Sequence, residues 1–282
     1  MNGTAGPLQD TGRPLGSVAV QTHELHERIA AFPRWHYRFE FEGGVSTPVV
    51  DPGKVNRHEQ RRRYFFDALL QVTGGSLAGR RVLDLGCNAG WWSLQALQAD
   101  ADFVLGVDIR QESVDQANLV FAAKGVDPSR YGFQRGDVLA DDLGGPFDVV
   151  LCLGLMEHLA RPVELFERIA ATGAALVVLD TALSGARSSF FEVAHLDEPD
   201  AYGELVLVPT RDAVLELAAR YGYETVALAR NMTDYAGLED YRRLRRLAFI
   251  CSRGPSLAAL PREAASPLLA RWTTMLDAVR RS

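Results

Sequence analysis

A glutamate followed directly by a histidine at the end of an apolar run is where proton chemistry first suggests itself in this sequence. The run is Leu151-Cys152-Leu153-Gly154-Leu155-Met156-Glu157-His158-Leu159. Histidine titrates near neutrality, so His158 can take a proton from a hydroxyl or an activated carbon. Glu157 can orient that ring or stabilise a cationic acceptor. The same pair also suits the start of a helix that packs on a sheet. A second cluster lies upstream, in Val82-Leu83-Asp84-Leu85-Gly86-Cys87-Asn88-Ala89-Gly90. There an apolar strand runs through a glycine turn straight into a helix. Gly86 lets the backbone turn tightly and approach a ligand, Gly90 lets the helix start close to the strand, and the helix N-terminus presents free amides. Asp108 ends the next apolar stretch, where a carboxylate can accept both hydroxyls of a ribose. Asp137 follows a third stretch and can receive an adenine amino group. With Asp84, these carboxylates fall near the ends of successive strands of one sheet.

The elements that position them alternate in type. Strands are expected at Arg81 to Leu85, Phe103 to Val107, Tyr131 to Arg135, Phe147 to Leu153, Ala174 to Leu179, Tyr223 to Ala229 and Leu247 to Ser252. Helices are expected at Trp91 to Ala99, Gln111 to Lys124, Pro162 to Ala171 and Arg211 to Arg220. Near-continuous apolar strands separated by helices predict an α/β fold, a Rossmann-like doubly wound seven-stranded mixed sheet covered on both faces. Residues 1–20 read as a disordered leader and 21–79 as an N-terminal helical cover over the pocket. Within the cover, His23 to Phe32 and Asn56 to Leu70 are helical and Tyr37 to Phe41 alternates like a strand. The domain proper spans 80–253, with a lid-like insertion after strand five at 180–209, and 254–282 is a helical appendage. A thirty-residue connection carrying Phe190, Phe191, His195 and Tyr202 is long enough to shape a pocket. Tyr37, His195 and Tyr202 are candidate substrate contacts. His195 with Glu192, Asp197 and Glu198 matches no standard metal spacing, and no metal is expected.

Composition bounds the function. The chain has 282 residues, 30 Lys+Arg against 36 Asp+Glu, net charge -6 and 47% hydrophobic residues. That excludes disorder along the whole chain and argues against a broad nucleic-acid surface. No apolar stretch approaches a membrane span, and no signal peptide is evident, so a cytoplasmic protein is expected. Cys87, Cys152 and Cys251 cannot form a closed set of disulfides and read as buried thiols in a reducing compartment. Only Lys54 and Lys124 are lysines, a bias towards arginine that suggests a GC-rich genome.

From Arg81 onward the sequence resembles the class I S-adenosylmethionine-dependent methyltransferases. The spacing Asp84-x-Gly86-x-x-x-Gly90 matches their glycine loop and differs from the dinucleotide Gly-x-Gly-x-x-Gly, with Asn88 standing at the family's third glycine position. The resemblance covers roughly residues 80 to 252. It implies that Gly86, Cys87 and Gly90 cradle the methionine part of S-adenosylmethionine (SAM) and that Asp108 holds the ribose. Ile109 would pack on adenine, Asp137 and Val138 would bind its amino group and ring edge, and backbone around Leu153 would lie near the sulfonium. A narrower likeness, to the tRNA wobble-uridine carboxymethyltransferases, rests on Trp35-His36-Tyr37, Gly43-Gly44-Val45-Ser46-Thr47-Pro48 and Leu207-Val208-Pro209-Thr210. Those enzymes use a carboxylated donor. Here Glu157 stands where that branch carries a tyrosine, and a carboxylate facing a carboxylate is repulsive in a dry site.

The expectation is therefore a methyltransferase using plain SAM on a small-molecule acceptor, in natural-product biosynthesis, with no nucleic-acid or membrane partner and room for a homodimer. The alternatives are an RNA-modifying enzyme, which needs a basic groove built from Arg61 to Arg63 and Arg242 to Arg246, and a non-catalytic cofactor-binding protein.

Overall fold

A computed structural model describes residues 15–49, 51–186, 188–194 and 206–264. Helix α1 (Leu15–Ala30) precedes α2 (Pro52–Arg61), which continues through a π-turn (Arg62–Phe66) into α3 (Asp67–Val72). Then come β1 (Arg81–Leu85), α4 (Trp91–Gln98), β2 (Phe103–Asp108), α5 (Gln111–Ala123), β3 (Tyr131–Arg135), β4 (Val149–Leu153), α6 (Pro162–Ala171) and β5 (Leu176–Ala182). A hairpin of β6 (Phe191–Ala194) and β7 (Val206–Pro209) leads to α7 (Arg211–Arg220), β8 (Glu224–Ala227), α8 (Glu239–Arg242) and β9 (Arg246–Ser252).

The main sheet has seven strands in the order β3-β2-β1-β4-β5-β9-β8. β1 to β5 are mutually parallel, and β9 runs antiparallel to both β5 and β8. The fold class read from the sequence is thus the observed one. Burial explains why: all five residues of β4 are buried, as a strand covered on both faces requires. Along β9 the side chains alternate between two cores, with Leu247, Phe249 and Cys251 on one face and Ala248 and Ile250 on the other. Strand order reverses at β1, which lies between β2 and β4. The crevice outside the strand carboxyl ends opens there, the general ligand position in such sheets.

The cover helix closes that crevice. Asp51 caps α2 through the Gly53 amide (2.8 Å), with Pro52 in the first turn. The Tyr64 hydroxyl donates to the Leu228 carbonyl (2.7 Å), tying the helix to the far side of the sheet.

Four expectations change. Helix α1 begins at Leu15, inside the segment read as a leader. Tyr37 to Phe41 is no strand. Its one bridge joins Glu40 to Ser46, and Thr47 Oγ1 takes the place of a partner strand by accepting the Phe39 amide and donating to the Tyr37 carbonyl, both at 2.8 Å. Asp180 and Thr181 belong to β5 and are fully buried, not part of an insertion. Residues 254–264 are not helical: Leu257 and Leu260 insert into the core and Arg262 bridges to Leu228. The remainder of that appendage lies outside the described residues.

Candidate functional site

A cleft of about 870 Å³ opens at the carboxyl ends of β1, β2 and β4. Gly86, Asn88, Asp108, Ile109, Asp137, Val138, Leu153, Glu157 and His158 all line it, joined by Tyr37 from the cover. The glycine turn is built for close approach. Gly86 sits at φ +70°, and a Cβ there would press on Leu155 at 3.3 Å. Its neighbours serve the turn itself. The Gly86 and Cys87 amides both donate to the Val107 carbonyl (2.8 and 3.1 Å), and Cys87 is buried beneath the loop. Gly90, at φ +78°, is a packing position, because a Cβ would meet Phe133 at 2.9 Å and Phe121 at 3.0 Å. Asp84 lies deeper than a strand-tip ligand: it is 1% exposed and accepts from the Ser93 hydroxyl at 2.6 Å. Burial pushes its carboxyl up to about 7.

Asp108 terminates β2 with both oxygens engaged. Oδ2 accepts the Asn88 amide (2.9 Å), and Oδ1 accepts the Arg110 amide (3.0 Å) and Nε (3.1 Å). Beside it Ile109 is 44% exposed, an apolar surface at the cleft of the kind a flat heterocycle covers. The Asp137 carboxylate closes its own turn by accepting the Leu139 amide (2.9 Å).

On the opposite wall, Glu157 is 1% exposed and both its oxygens are engaged: Oε1 pairs with Arg246 and Oε2 accepts from the Thr181 hydroxyl (3.1 Å). Burial alone would raise its carboxyl, but the Arg246 guanidinium and then His158 more than offset this and hold it below the ordinary value. The repulsion expected between Glu157 and a carboxylated donor assumed an unpaired carboxylate, and Arg246 meets that charge inside the protein. His158 Nδ1 is buried and reaches no hydrogen-bond partner among the described residues. Tyr37 stacks on Trp91 (ring centroids 5.8 Å, 12° between planes), and burial pushes its hydroxyl up to about 12. His195 and Tyr202 lie outside the described residues.

Sequence reasoning missed the ion-pair network that closes the back of the cleft. Asp180 accepts from Arg61 (2.8 Å), Arg246 (3.2 Å) and the Tyr241 hydroxyl (2.6 Å). Asp240 in turn holds Arg57 (2.7 Å) and Arg246 (3.0 Å), and these cations bring its carboxyl down to about 2 against the effect of burial. The Arg61 and Arg246 guanidiniums and the Glu157 carboxylate all stand within 3.9–4.0 Å of where a Cβ on Gly154 would be. The signal was present in part: Lys54, Arg57, His58 and Arg61 recur at helical spacing on one face. Such a face normally reads as solvated, because nothing local reveals the buried carboxylates opposite.

Glycine turn, strand-tip aspartate and exposed isoleucine on a 3-2-1-4-5 parallel core define a class I SAM-dependent methyltransferase. The methyltransferase domain family matches residues 57–228, and the chain belongs to it. Over 102 residues it is 37% identical to the ubiquinone biosynthesis O-methyltransferase of Bordetella avium (strain 197N), covering 36% of this chain and 42% of that protein. The chain spans well under two thirds of the length of the curated relatives it matches first. Among solved structures, the N-terminal domain of EvdMO1 in the presence of SAH and D-fucose aligns with a TM-score of 0.63 at 20% identity, over 82% of this chain and 96% of that one. The magnesium protoporphyrin IX methyltransferase of Synechocystis PCC 6803 with bound SAM aligns at 0.53 and 15% identity, over 87% and 100%. At these identities the likeness is one of fold.

Proposed function

We propose that this protein transfers a methyl group from SAM to a hydroxyl of a small molecule. One convergence carries the reading: Gly86, Asp108, Ile109 and Leu153 face the same cleft as His158, whose Nδ1 has no partner among the described residues. SAM supplies an electrophilic methyl on its sulfonium. Gly86 and Leu153 let the donor approach the backbone, Asp108 binds the ribose, and Ile109 and Val138 pack against adenine, with Asp137 beside them. With the donor bound, an acceptor oxygen would take the methyl in line as the carbon–sulfur bond breaks to leave S-adenosylhomocysteine, and His158 would receive the proton released. Much of the rate comes from orientation and from excluding water. With both oxygens of Glu157 engaged, its part is to anchor Arg246 rather than to move a proton.

A small acceptor is supported by the cleft volume and by relatives whose name includes O-methyltransferase. Natural-product tailoring is the finer reading, supported by the arginine-rich, lysine-poor composition of a GC-rich genome. A reducing, cytoplasmic setting is supported by three buried, unpaired cysteines. No helix among the described residues is long and apolar enough to cross a membrane. The RNA reading needs the Arg61 and Arg246 charges to be available, and carboxylates occupy both.

Calorimetric titration with S-adenosylhomocysteine (SAH) tests the cofactor site. Micromolar binding is expected, with Asp108→Ala weakening it at least tenfold, about 1.4 kcal/mol. Arg110→Ala should leave SAH affinity unchanged or improve it, because its Nε occupies the oxygen a ribose hydroxyl would use. No binding by the intact protein would sink the assignment.

A further inference from the structure

Lys54, Arg57, His58 and Arg61 stand at positions i, i+3, i+4 and i+7 of α2, and all four line the cleft. Two are answered within the protein, Arg57 by Asp240 and Arg61 by Asp180. The other two are not. Lys54 is half-buried and has no ion-pair partner among the described residues. His58 is 3% exposed, and neither ring nitrogen reaches a hydrogen-bond partner among the described residues. Buried polar groups in native folds are almost always paired, so an imidazole left with two open nitrogens on a ligand cleft calls for a partner from outside.

The surroundings say what kind of partner. The ring packs against Tyr37 (4.3 Å), His36 (5.1 Å) and Trp91 (5.9 Å), with Arg57 and Arg61 flanking it on its own helix. Burial first, then His36, Arg61 and Arg57, hold its pKa well below the ordinary value. The His36 carbonyl approaches without reaching hydrogen-bond geometry and pulls the other way. An anion arriving here would offset those cations, accept from the ring N–H and reach Lys54 one helical turn away.

We propose that Lys54 and His58 together hold an oxyanion of the acceptor, so that the substrate class is a hydroxylated organic acid or phosphate ester rather than a neutral alcohol. This rests on the methyltransferase reading above. The anion also removes part of the opposition to an imidazolium, so binding favours proton uptake by His58.

The test is titration of the SAH-saturated protein with 3,4-dihydroxybenzoate, 4-hydroxyphenyl phosphate and the uncharged 3,4-dihydroxybenzamide, at about pH 6.5 in two buffers of different ionisation enthalpy. At least one oxyanion should bind tenfold or more tightly than the amide, with net proton uptake, and the tighter of the two identifies the group recognised. Lys54→Gln should abolish the preference for charge. His58→Gln should abolish the proton uptake. Both variants should keep SAH affinity within about twofold, which shows that they fold. Equal affinity for acids and amide, or binding of none of the three to the SAH-loaded protein, overturns the proposal and leaves the methyltransferase reading standing. A loss of SAH affinity in Lys54→Gln also overturns it, by assigning the lysine to the cofactor's own carboxylate. Failure of the intact protein to bind SAH overturns the underlying reading instead.

Discussion

Replacing Asp180 with alanine should be the most destabilising single change at the cleft. The carboxylate is fully buried and accepts three hydrogen bonds, from Arg61, Arg246 and Tyr241. Arg246 would keep Glu157 and Asp240. Among the described residues Arg61 would keep no carboxylate: it is 5% exposed, its Nε has no partner, and the faces of Trp92 (5.3 Å) and Phe65 (5.4 Å) remain against its guanidinium. Orphaning one member of a buried pair costs about 3–5 kcal/mol. The surviving cation–π contacts place this case towards the low end, about 3 kcal/mol. At about 2–4 °C per kcal/mol for a chain of this size, Tm should fall by about 6–12 °C. Urea denaturation followed by tryptophan fluorescence measures the free energy, and a second substitution tests the cause. If the cost is the stranded guanidinium, Asp180→Ala with Arg61→Met should recover more than half of it. A loss below about 1 kcal/mol, the scale of an exposed pair, or no recovery in the double variant, would refute a buried clamp between cover and sheet.

Glu157→Gln should lower Tm by removing the charge opposite Arg246, while His158→Gln lowers kcat by about 100-fold with SAH affinity unchanged; equal kcat losses in both would put proton chemistry back on the glutamate. Asp84 gives a pH signature. Its folded carboxyl titrates at about 7 against 3.8 for the ordinary group, so the native state retains a proton that the unfolded chain has released between those values. Stability contributed by this group therefore falls as pH rises through that window and is level above it. Asp84→Asn should flatten the difference between urea midpoints at about pH 5 and about pH 8, and an unchanged difference would place the titration elsewhere.

The ion-pair network gives the cover helix a second task besides shielding the cleft. Arg57 and Arg61 bind α2 to α8 and β5 through Asp240 and Asp180, and Arg246 joins both carboxylates to Glu157 on the wall of the cleft. A shift of α2 would therefore be felt at Gly154 and His158. The π-turn directly after Arg61 fits this constraint, since such turns adjust a helix locally where a site needs it.

The sequence by itself determined the seven strands of the main sheet, the glycine turn and the carboxylate at the tip of β2. Each is local: a short stretch of strand-forming residues bounded by turns, a glycine that must adopt positive φ, or an aspartate at the point where a strand ends. Periodicity carries such information because neighbouring residues settle it among themselves. Tertiary structure alone decided that Cys87, Gly90 and Asp84 lie beneath the cleft rather than on its surface, and that both oxygens of Glu157 are engaged. It also paired Arg61 with Asp180 across 119 residues of chain, and turned the charged face of α2 inward. A cationic helix face reads as solvated until the carboxylates that can offset its desolvation are found opposite, and their position is set by the packing of the sheet, not by spacing along the chain.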